Sequence, residues 1–455
     1  MYERYHIPKL EMPPLGAPPS KNLVVRSERC MNCGRCEDAC IYKVHERDPR
    51  DPRVMAEPKS HLCKNCLRCV EDCPQRALTV EYSPAYFALG EGIWTPARVF
   101  TIWNEAWTGK IPVFGAGYRG RYVGPGYDSM WTDMSEIVRP TRDGIHGREF
   151  ISTSVDLGKR VDHLEFDASG RLLTKMPRFV ELPLPLVMDL TRMPETVPAS
   201  LEGLMQAAET LDTLLIVPVG TVVPEGAAAC RSSLVPVFPA GRTSTPSDLE
   251  RPRLVELEMS PDWRKDLKAL KERFPESIVG VRVQARNGVE PTAVELAASE
   301  ADLIHLLFDE QGKEAGAEGR LAKDSLMSVN QALAKQSLRE AVSIVAGGGL
   351  AAAEHIPKSL ICGADALALE RALKVALGCH ASLQCTACPL DPKQATSEWI
   401  KWRAVNMIGA WRDQLLEVMG AMGIREARRL RGEIGRAIFY EEAEKDAFAS
   451  LQGGE

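Results

Sequence analysis

The sequence predicts an α/β protein: a (β/α)8 TIM-type barrel, with a small cysteine-rich α+β module before it and helices after it. Three observations carry that reading. Short apolar runs alternate with amphipathic stretches between residues 181 and 378, as strands and helices do in parallel α/β folds. Eight of the 13 cysteines crowd between Cys30 and Cys73. Residues 395–450 are rich in Ala, Glu, Arg and Leu and read as terminal helices. At 455 residues, 45% apolar and 26% charged, the chain has material for about three domains with real cores. Its 62 acidic and 56 basic side chains leave a formal charge of −6, which argues against nucleic acid or an anionic membrane as partner.

Residues 1–20, with Pro8, Pro13, Pro14, Pro18 and Pro19, read as an extended arm. Residues 21–85 form the cysteine-rich module, bounded by strand-like Leu23–Val25 and Ala77–Tyr82, which could pair. Residues 86–180, dense in Trp, Tyr, Gly and Arg, read as an irregular connecting segment held by its aromatics. The barrel spans 181–378. Its expected strands are Leu186–Leu190, Leu214–Val217, Leu234–Phe238, Leu254–Leu257, Ile278–Val283, Leu303–Leu307, Val342–Ala346 and Ala364–Leu369, with amphipathic helices at 261–273, 291–299 and 324–339. Residues 379–455 hold a third cysteine group and the terminal helices. No internal repeat or low-complexity tract stands out. The start lacks a basic, then apolar, leader pattern. The apolar stretch from Thr213 to Pro224 is interrupted by Pro218 and Gly220 and is too short to cross a bilayer. A cytoplasmic protein with no membrane span is expected.

Cys30-x2-Cys33-x2-Cys36-x3-Cys40 and Cys63-x2-Cys66-x2-Cys69-x3-Cys73-Pro74 share one spacing. Three thiolates two residues apart wrap one face of an iron–sulfur cube, and the fourth points away to the other cube. Cys30, Cys33, Cys36 and Cys73 are therefore expected to hold one [4Fe–4S] cluster, and Cys63, Cys66, Cys69 and Cys40 a second. Structural zinc sites use pairs of CxxC rather than two runs of four. Ile41 stands where the first run would normally have proline. Twelve basic side chains against ten acidic ones between 21 and 85 would partly offset the anionic clusters. Further on, Cys379-x5-Cys385-x2-Cys388-Pro389 suits a third cluster. It would be [3Fe–4S], or [4Fe–4S] with a ligand from elsewhere such as His380 or Cys362; a zinc site or an unligated loop remains the alternative.

With these parts in order the chain resembles the FMN-binding subunit of glutamate synthases, in the split, ferredoxin-fused, archaeal-type form. Trp103-Asn-Glu-Ala-Trp-Thr-Gly109, Ser129 to Gly144 and Arg148 to Gly158 look like that family's entry into its synthase domain. Ile344-Val-Ala-Gly-Gly-Gly-Leu350 and Cys362-Gly-Ala-Asp-Ala366 look like its last two barrel strands, and Leu377 to Pro389 like its iron–sulfur loop. The resemblance implies a 2[4Fe–4S] ferredoxin-type module feeding electrons to FMN in the barrel, by way of the third cluster. It also implies an oxidoreductase acting on CH–NH2 donors, which forms L-glutamate from 2-oxoglutarate and ammonia. The flavin phosphate would sit at the loops after strands 7 and 8, here Gly347, Gly348 and Gly349 with Gly363 and Arg371. The expected partners are other redox or amidotransferase subunits, ferredoxin or an NAD(P)H-oxidising flavoprotein, and a small-molecule substrate. No catalytic residue is assigned.

Several stretches depart from the family. Phe308 to Gly319 replaces its glycine-rich loop after strand 6, and Glu370-Arg371 replaces a small pair after strand 8. Met188-Asp-Leu-Thr-Arg192 and Leu254 to Ser260 stand at strands 1 and 4. These departures keep an alternative open: an electron-transfer or scaffold subunit whose barrel has lost glutamate synthesis and FMN. His305 is expected as a satisfied core histidine, and Lys313 and Lys323 as solvated. Arg425, Arg428, Arg429, Arg431 and Arg436 are expected on a solvated or subunit-facing helix.

Overall fold

The structure is a computed structural model describing residues 5–16, 18–111, 124–132, 151–161, 163–192, 199–243, 251–382 and 394–442. The chain divides into two compact units. One is Pro14–Phe100 with His380–Cys388; the other is Met1–Pro13, Thr101–Cys379 and Pro389–Glu455.

In the smaller unit β1 (Asn22–Arg26) pairs antiparallel with β2 (Leu78–Tyr82), Val24 opposite Val80. Between them lie two one-turn helices, α1 (Arg35–Ala39) and α2 (Arg68–Glu71). Val24, Cys36, Val44, Met55, Cys69 and Leu78 form its core. Beyond it, α3 (Pro84–Phe87) is capped by Ser83, whose hydroxyl accepts from the Tyr86 N–H. Helix α4 (Pro96–Thr108) follows, where the sequence suggests irregular chain.

In the larger unit β3 (Met130–Thr132) precedes a hairpin of β4 (Val155–Gly158) and β5 (Phe179–Leu182). The barrel then runs β6 (Leu186–Asp189), α5 (Ala199–Thr210), β7 (Leu215–Pro218), β8 (Leu234–Phe238), β9 (Leu254–Glu258), α6 (Trp263–Arg273) and β10 (Ile278–Gln284). It continues α7 (Val289–Ala298), β11 (Leu303–Leu307), α8 (Ala322–Lys335), β12 (Ser343–Gly347), α9 (His355–Ile361), β13 (Ala366–Leu369) and α10 (Arg371–Ala376). Strands β6 to β13 are all parallel and close through β13–β6. Each reads as an almost unbroken apolar run because a barrel strand is covered on both faces. A 3-10 segment, Glu225–Ser233, replaces the helix between β7 and β8.

Helix α11 (Ser397–Ala421) is 25 residues long and packs mainly on α5. Its buried Arg403 donates to the Ala376, Met12 and Trp103 carbonyls. The chain then ends its described course in 3-10 turns and β14 (Ala437–Phe439), which pairs antiparallel with β3, where further helix is expected. No helix of the described residues is long and apolar enough to cross a membrane.

Candidate functional site

The two cysteine runs fold into the same loop. In the first, Asn32 (φ 56°) and Gly34 (φ 83°) are left-handed; in the second, 33 positions later, Asn65 (φ 58°) and Leu67 (φ 61°) take their places. The likeness extends outward. The Cys30 N–H donates to the Ser27 carbonyl and the Cys63 N–H to that of Ser60; Lys43 and Arg76, three residues past each fourth cysteine, are also left-handed. The module is thus an internal repeat, which the sequence reading passes over. Left-handed residues at every second position turn successive amides to one side, a geometry suited to anions and iron–sulfur centres. That Leu67 adopts it, at roughly 1–2 kcal/mol for an L-residue, indicates that its neighbours enforce it.

The repeat exchanges its fourth cysteines. Cys30, Cys33, Cys36 and Cys73 line one cavity with an empty volume of about 350 Å³. Cys40, Cys63, Cys66 and Cys69 line another of about 320 Å³. All eight are free thiols. Burial pushes the Cys36 thiol up, and Cys69 is pushed up to about 11, first by burial and then by Cys40, Cys63 and Cys66 around it.

Arg26, at the end of β1, lines the first cavity. Its Nη1 donates to the Met55 and Ala56 carbonyls at 2.9 Å, whereas its buried Nε and Nη2 find no partner among the described residues. A half-buried cation with two buried, unpartnered donors beside four thiols fits an anionic tetrathiolate cluster, so the residues present suit the group. The repeat-related Lys59 pairs instead with Glu46 at 2.6 Å, which makes the two cavities electrostatically unequal. Ile41, in the proline position of the first run, is 75% exposed.

Cys385 and Cys388 lie outside the described residues, so of the third group only Cys379 is placed, just beyond α10. Cys362, a candidate fourth ligand, is fully buried with its thiol 3.8 Å from the Met130 sulfur, and its pKa is pushed up to about 12 by burial. The other candidate, His380, is half-buried, and its carbonyl accepts from the Gly90 N–H.

The barrel interior holds a charged cluster. Arg282 on β10 donates to Asp189 (2.7 Å), Thr191 (2.8 Å) and Glu256 (2.8 Å). His305 on β11 meets Glu256 through Nδ1 at 3.0 Å, and its Nε2 is buried without a partner among the described residues. The expectation of a satisfied histidine therefore holds for one ring nitrogen only. Burial alone would raise Glu256; the charges of His305 and Arg282 overcome it and hold the carboxyl down at about 2. Asp189, Thr191 and Glu256 come from the two strand segments that depart from the family. Arg282 is missed, although a lone arginine inside Ile278–Gln284 is the signal that could have found it.

At the carboxyl end of the strands Arg192 donates to the Phe308 carbonyl (2.8 Å) and to Glu370 (3.3 Å), and Arg371 pairs with Glu310. Burial raises the Glu370 carboxyl, opposed by Arg192. Gly347, Gly348 and Gly349 lie here, but Gly363 does not. It precedes β13, at the opposite end of that strand from Arg371, with its carbonyl on Arg339 and its Cα face against Asn330. The four glycines cannot share one ligand. Nor is the corner open: a Cβ on Gly348 would lie 2.5 Å from the Phe308 carbonyl oxygen, and one on Gly349 2.2 Å from Gly312 Cα. These residues do not fit a flavin phosphate as they stand.

Two other expectations change. Lys323 is buried, on Asp324 at 2.7 Å and over the Phe439 ring. Arg428 grips Asp156 and Glu181 of the β4–β5 hairpin, and Arg431 pairs with Asp365 and Glu340. Arg428 and Arg431 thus clamp the unit from within, whereas Arg425 and Arg429 are exposed as expected.

The family described as the conserved region in glutamate synthase matches residues 242–425. The archaeal-type glutamate synthase (NADPH) of Dehalococcoides mccartyi is 25% identical over 490 aligned residues, covering 91% of this chain and 94% of that protein. The archaeal glutamate synthase (NADPH) of Archaeoglobus fulgidus is 25% identical over 500, covering 94% and 96%. The archaeal-type glutamate synthase (NADPH) of Thermotoga maritima is 24% identical over 509, covering 96% and 98%. The chain is thus similar to archaeal-type glutamate synthases over more than nine-tenths of its length, and its residues 242–425 match the conserved region in glutamate synthase.

Proposed function

We propose that this chain is an iron–sulfur oxidoreductase subunit of the glutamate synthase type, carrying two [4Fe–4S] clusters in its front unit. Cys30, Cys33, Cys36 and Cys73 hold one, and Cys40, Cys63, Cys66 and Cys69 the other. The observation that supports this most is the sorting of eight thiols into two sets of four, with the fourth ligands exchanged. Such clusters supply one-electron transfer at all-thiolate iron, with no open position for substrate. The protein's part is to hold the thiolates, to set the charge around them through Arg26, and to exclude water with Val24, Val44, Met55 and Leu78. Its electrons come from ferredoxin or an NAD(P)H-oxidising flavoprotein. The glutamate-forming version would need FMN in the barrel as the two-electron carrier, with ammonia free or delivered by an amidotransferase subunit and a third cluster at Cys379, Cys385 and Cys388.

The crowded corner around Gly347–Gly349 favours a second reading, in which the chain carries electrons and the barrel no longer forms glutamate. One assay separates them. Oxidation of reduced viologen by anaerobically purified chain, dependent on 2-oxoglutarate and ammonia, supports the first; cluster reduction without it supports the second. Protein without iron and acid-labile sulfide refutes both.

A further inference from the structure

We propose that Glu370 is a built-in occupant of the barrel's anion corner: its carboxylate, tied to Arg192, stands where a (β/α)8 barrel would seat a phosphate. The chain therefore takes no phosphate-bearing flavin or nucleotide there. This inference is independent of the iron–sulfur clusters, because every residue in it belongs to the larger unit, but it rests on the second reading above, in which the barrel no longer forms glutamate.

Barrels of this kind commonly bind phosphate at the loops after their seventh and eighth strands, where glycines let backbone amides approach the oxygens. Here the seventh-strand loop does have three glycines, yet each is explained by the chain's own packing. A Cβ on Gly347 would lie 3.0 Å from the Glu370 carboxylate and 3.0 Å from His305 Nε2. Gly348 lies against the carbonyls of Phe308 and Asp309, and Gly349 against Gly312. Gly348 and Gly349 permit one backbone to lie on another rather than on a ligand, and Gly347 makes room for the Glu370 and His305 side chains.

That covering segment is fastened on several sides. The Phe308 N–H donates to the Gly347 carbonyl and the Ala322 N–H to that of Gly312, both at 2.8 Å. The Asp309 side chain accepts from the Gln311 and Lys313 amides. The cations that could have met a phosphate are engaged: Arg192 by Phe308 and Glu370, Arg371 by Glu310. Glu370 is 8% exposed, so a phosphate would have to share a poorly solvated site with a carboxylate. Like charges at that distance and in that medium repel strongly.

The test compares wild type with E370S, which removes the carboxylate and releases Arg192. The full-length chain is purified anaerobically, its flavin is measured after acid extraction, and binding of FMN and of inorganic phosphate is followed by calorimetry. Wild type should contain no FMN and bind neither probe measurably. E370S should gain affinity for phosphate by tenfold or more, about 1.4 kcal/mol, and R192M/E370S should lose that gain. Should E370S not fold, the isosteric E370Q serves in its place with a smaller gain in the same direction. Stoichiometric FMN in the wild type overturns the proposal. So does a folded E370S, or its substitute, with no increase in phosphate affinity.

Discussion

Arg282→Met is the sharpest perturbation of the barrel. It keeps most of the side-chain volume and removes the only guanidinium that joins Asp189 and Glu256 among the described residues, both carboxylates being fully buried. Breaking a buried ion pair from one side leaves an uncompensated charge and typically costs about 3–5 kcal/mol. The titration points the same way. Glu256 is held at about 2 against an ordinary 4.5 by His305 and by Arg282, and of the about 3 kcal/mol which that difference represents, the Arg282 share is lost in the variant. For a barrel of this size the loss should lower Tm by roughly 6–20 °C.

The pH dependence gives a sign that simple loss of packing would not. In wild type the Glu256 contribution is complete above pH 4.5 and is lost as pH falls toward about 2. In Arg282→Met the opposing charge is reduced and burial drives the carboxyl upward, so Glu256 takes a proton and the deficit relative to wild type shrinks as pH falls. Thermal and denaturant unfolding between pH 3 and 8, followed by far-UV circular dichroism, reads both effects. A variant within about 1 kcal/mol of wild type, or a deficit that grows on acidification, would refute the reasoning.

Other outcomes follow from the same structure. Arg26→Met should keep its iron but shift one of the two cluster potentials to more negative values, because only the Cys30 set faces that guanidinium. A redox titration followed by EPR, with both waves unmoved, would contradict this. Glu105 on α4, pushed up to about 7 by burial despite donors from Trp411 and Gln414, keeps its proton when folded. Stability should therefore fall by up to about 3 kcal/mol as pH rises from 4.5 to 7, and Glu105→Gln should abolish that slope. Arg428→Ala should loosen the β4–β5 hairpin, read as faster amide exchange at Val155–Gly158, at a cost of about 1–3 kcal/mol.

The barrel was legible because its strands are buried on both faces. All eight expected runs, from Leu186 to Leu369, coincide with observed strands, with ends differing by no more than two residues. The grouping of the eight thiols around two cavities was legible because cysteine spacing is a local property of the chain. The charged interior was not, since Arg282 meets Asp189 across 93 residues and His305 meets Glu256 across 49; only closure of the barrel brings them together. Arg428 and Arg431 misled for the same reason, their partners lying far back in the chain. The repeat beyond the cysteines was not legible from their spacing, because it is carried by a few short flanks, Ser27 with Ser60 and Asn32 with Asn65, whose likeness is one of backbone conformation and hydrogen bonding. Gly363 was placed with the other glycines by proximity in sequence to the eighth strand, whose two ends face opposite ways.

The exchange of fourth ligands can be tested by two double substitutions and an iron count. If Cys73 closes the Cys30 set, C30S/C73S strikes one cluster and should lower iron by about four per chain, whereas C66S/C73S strikes both and should lower it by about eight. Losses in the opposite order would place Cys73 with Cys63, Cys66 and Cys69 and contradict the account. A wild-type chain holding zinc in place of iron and sulfide would contradict it more completely.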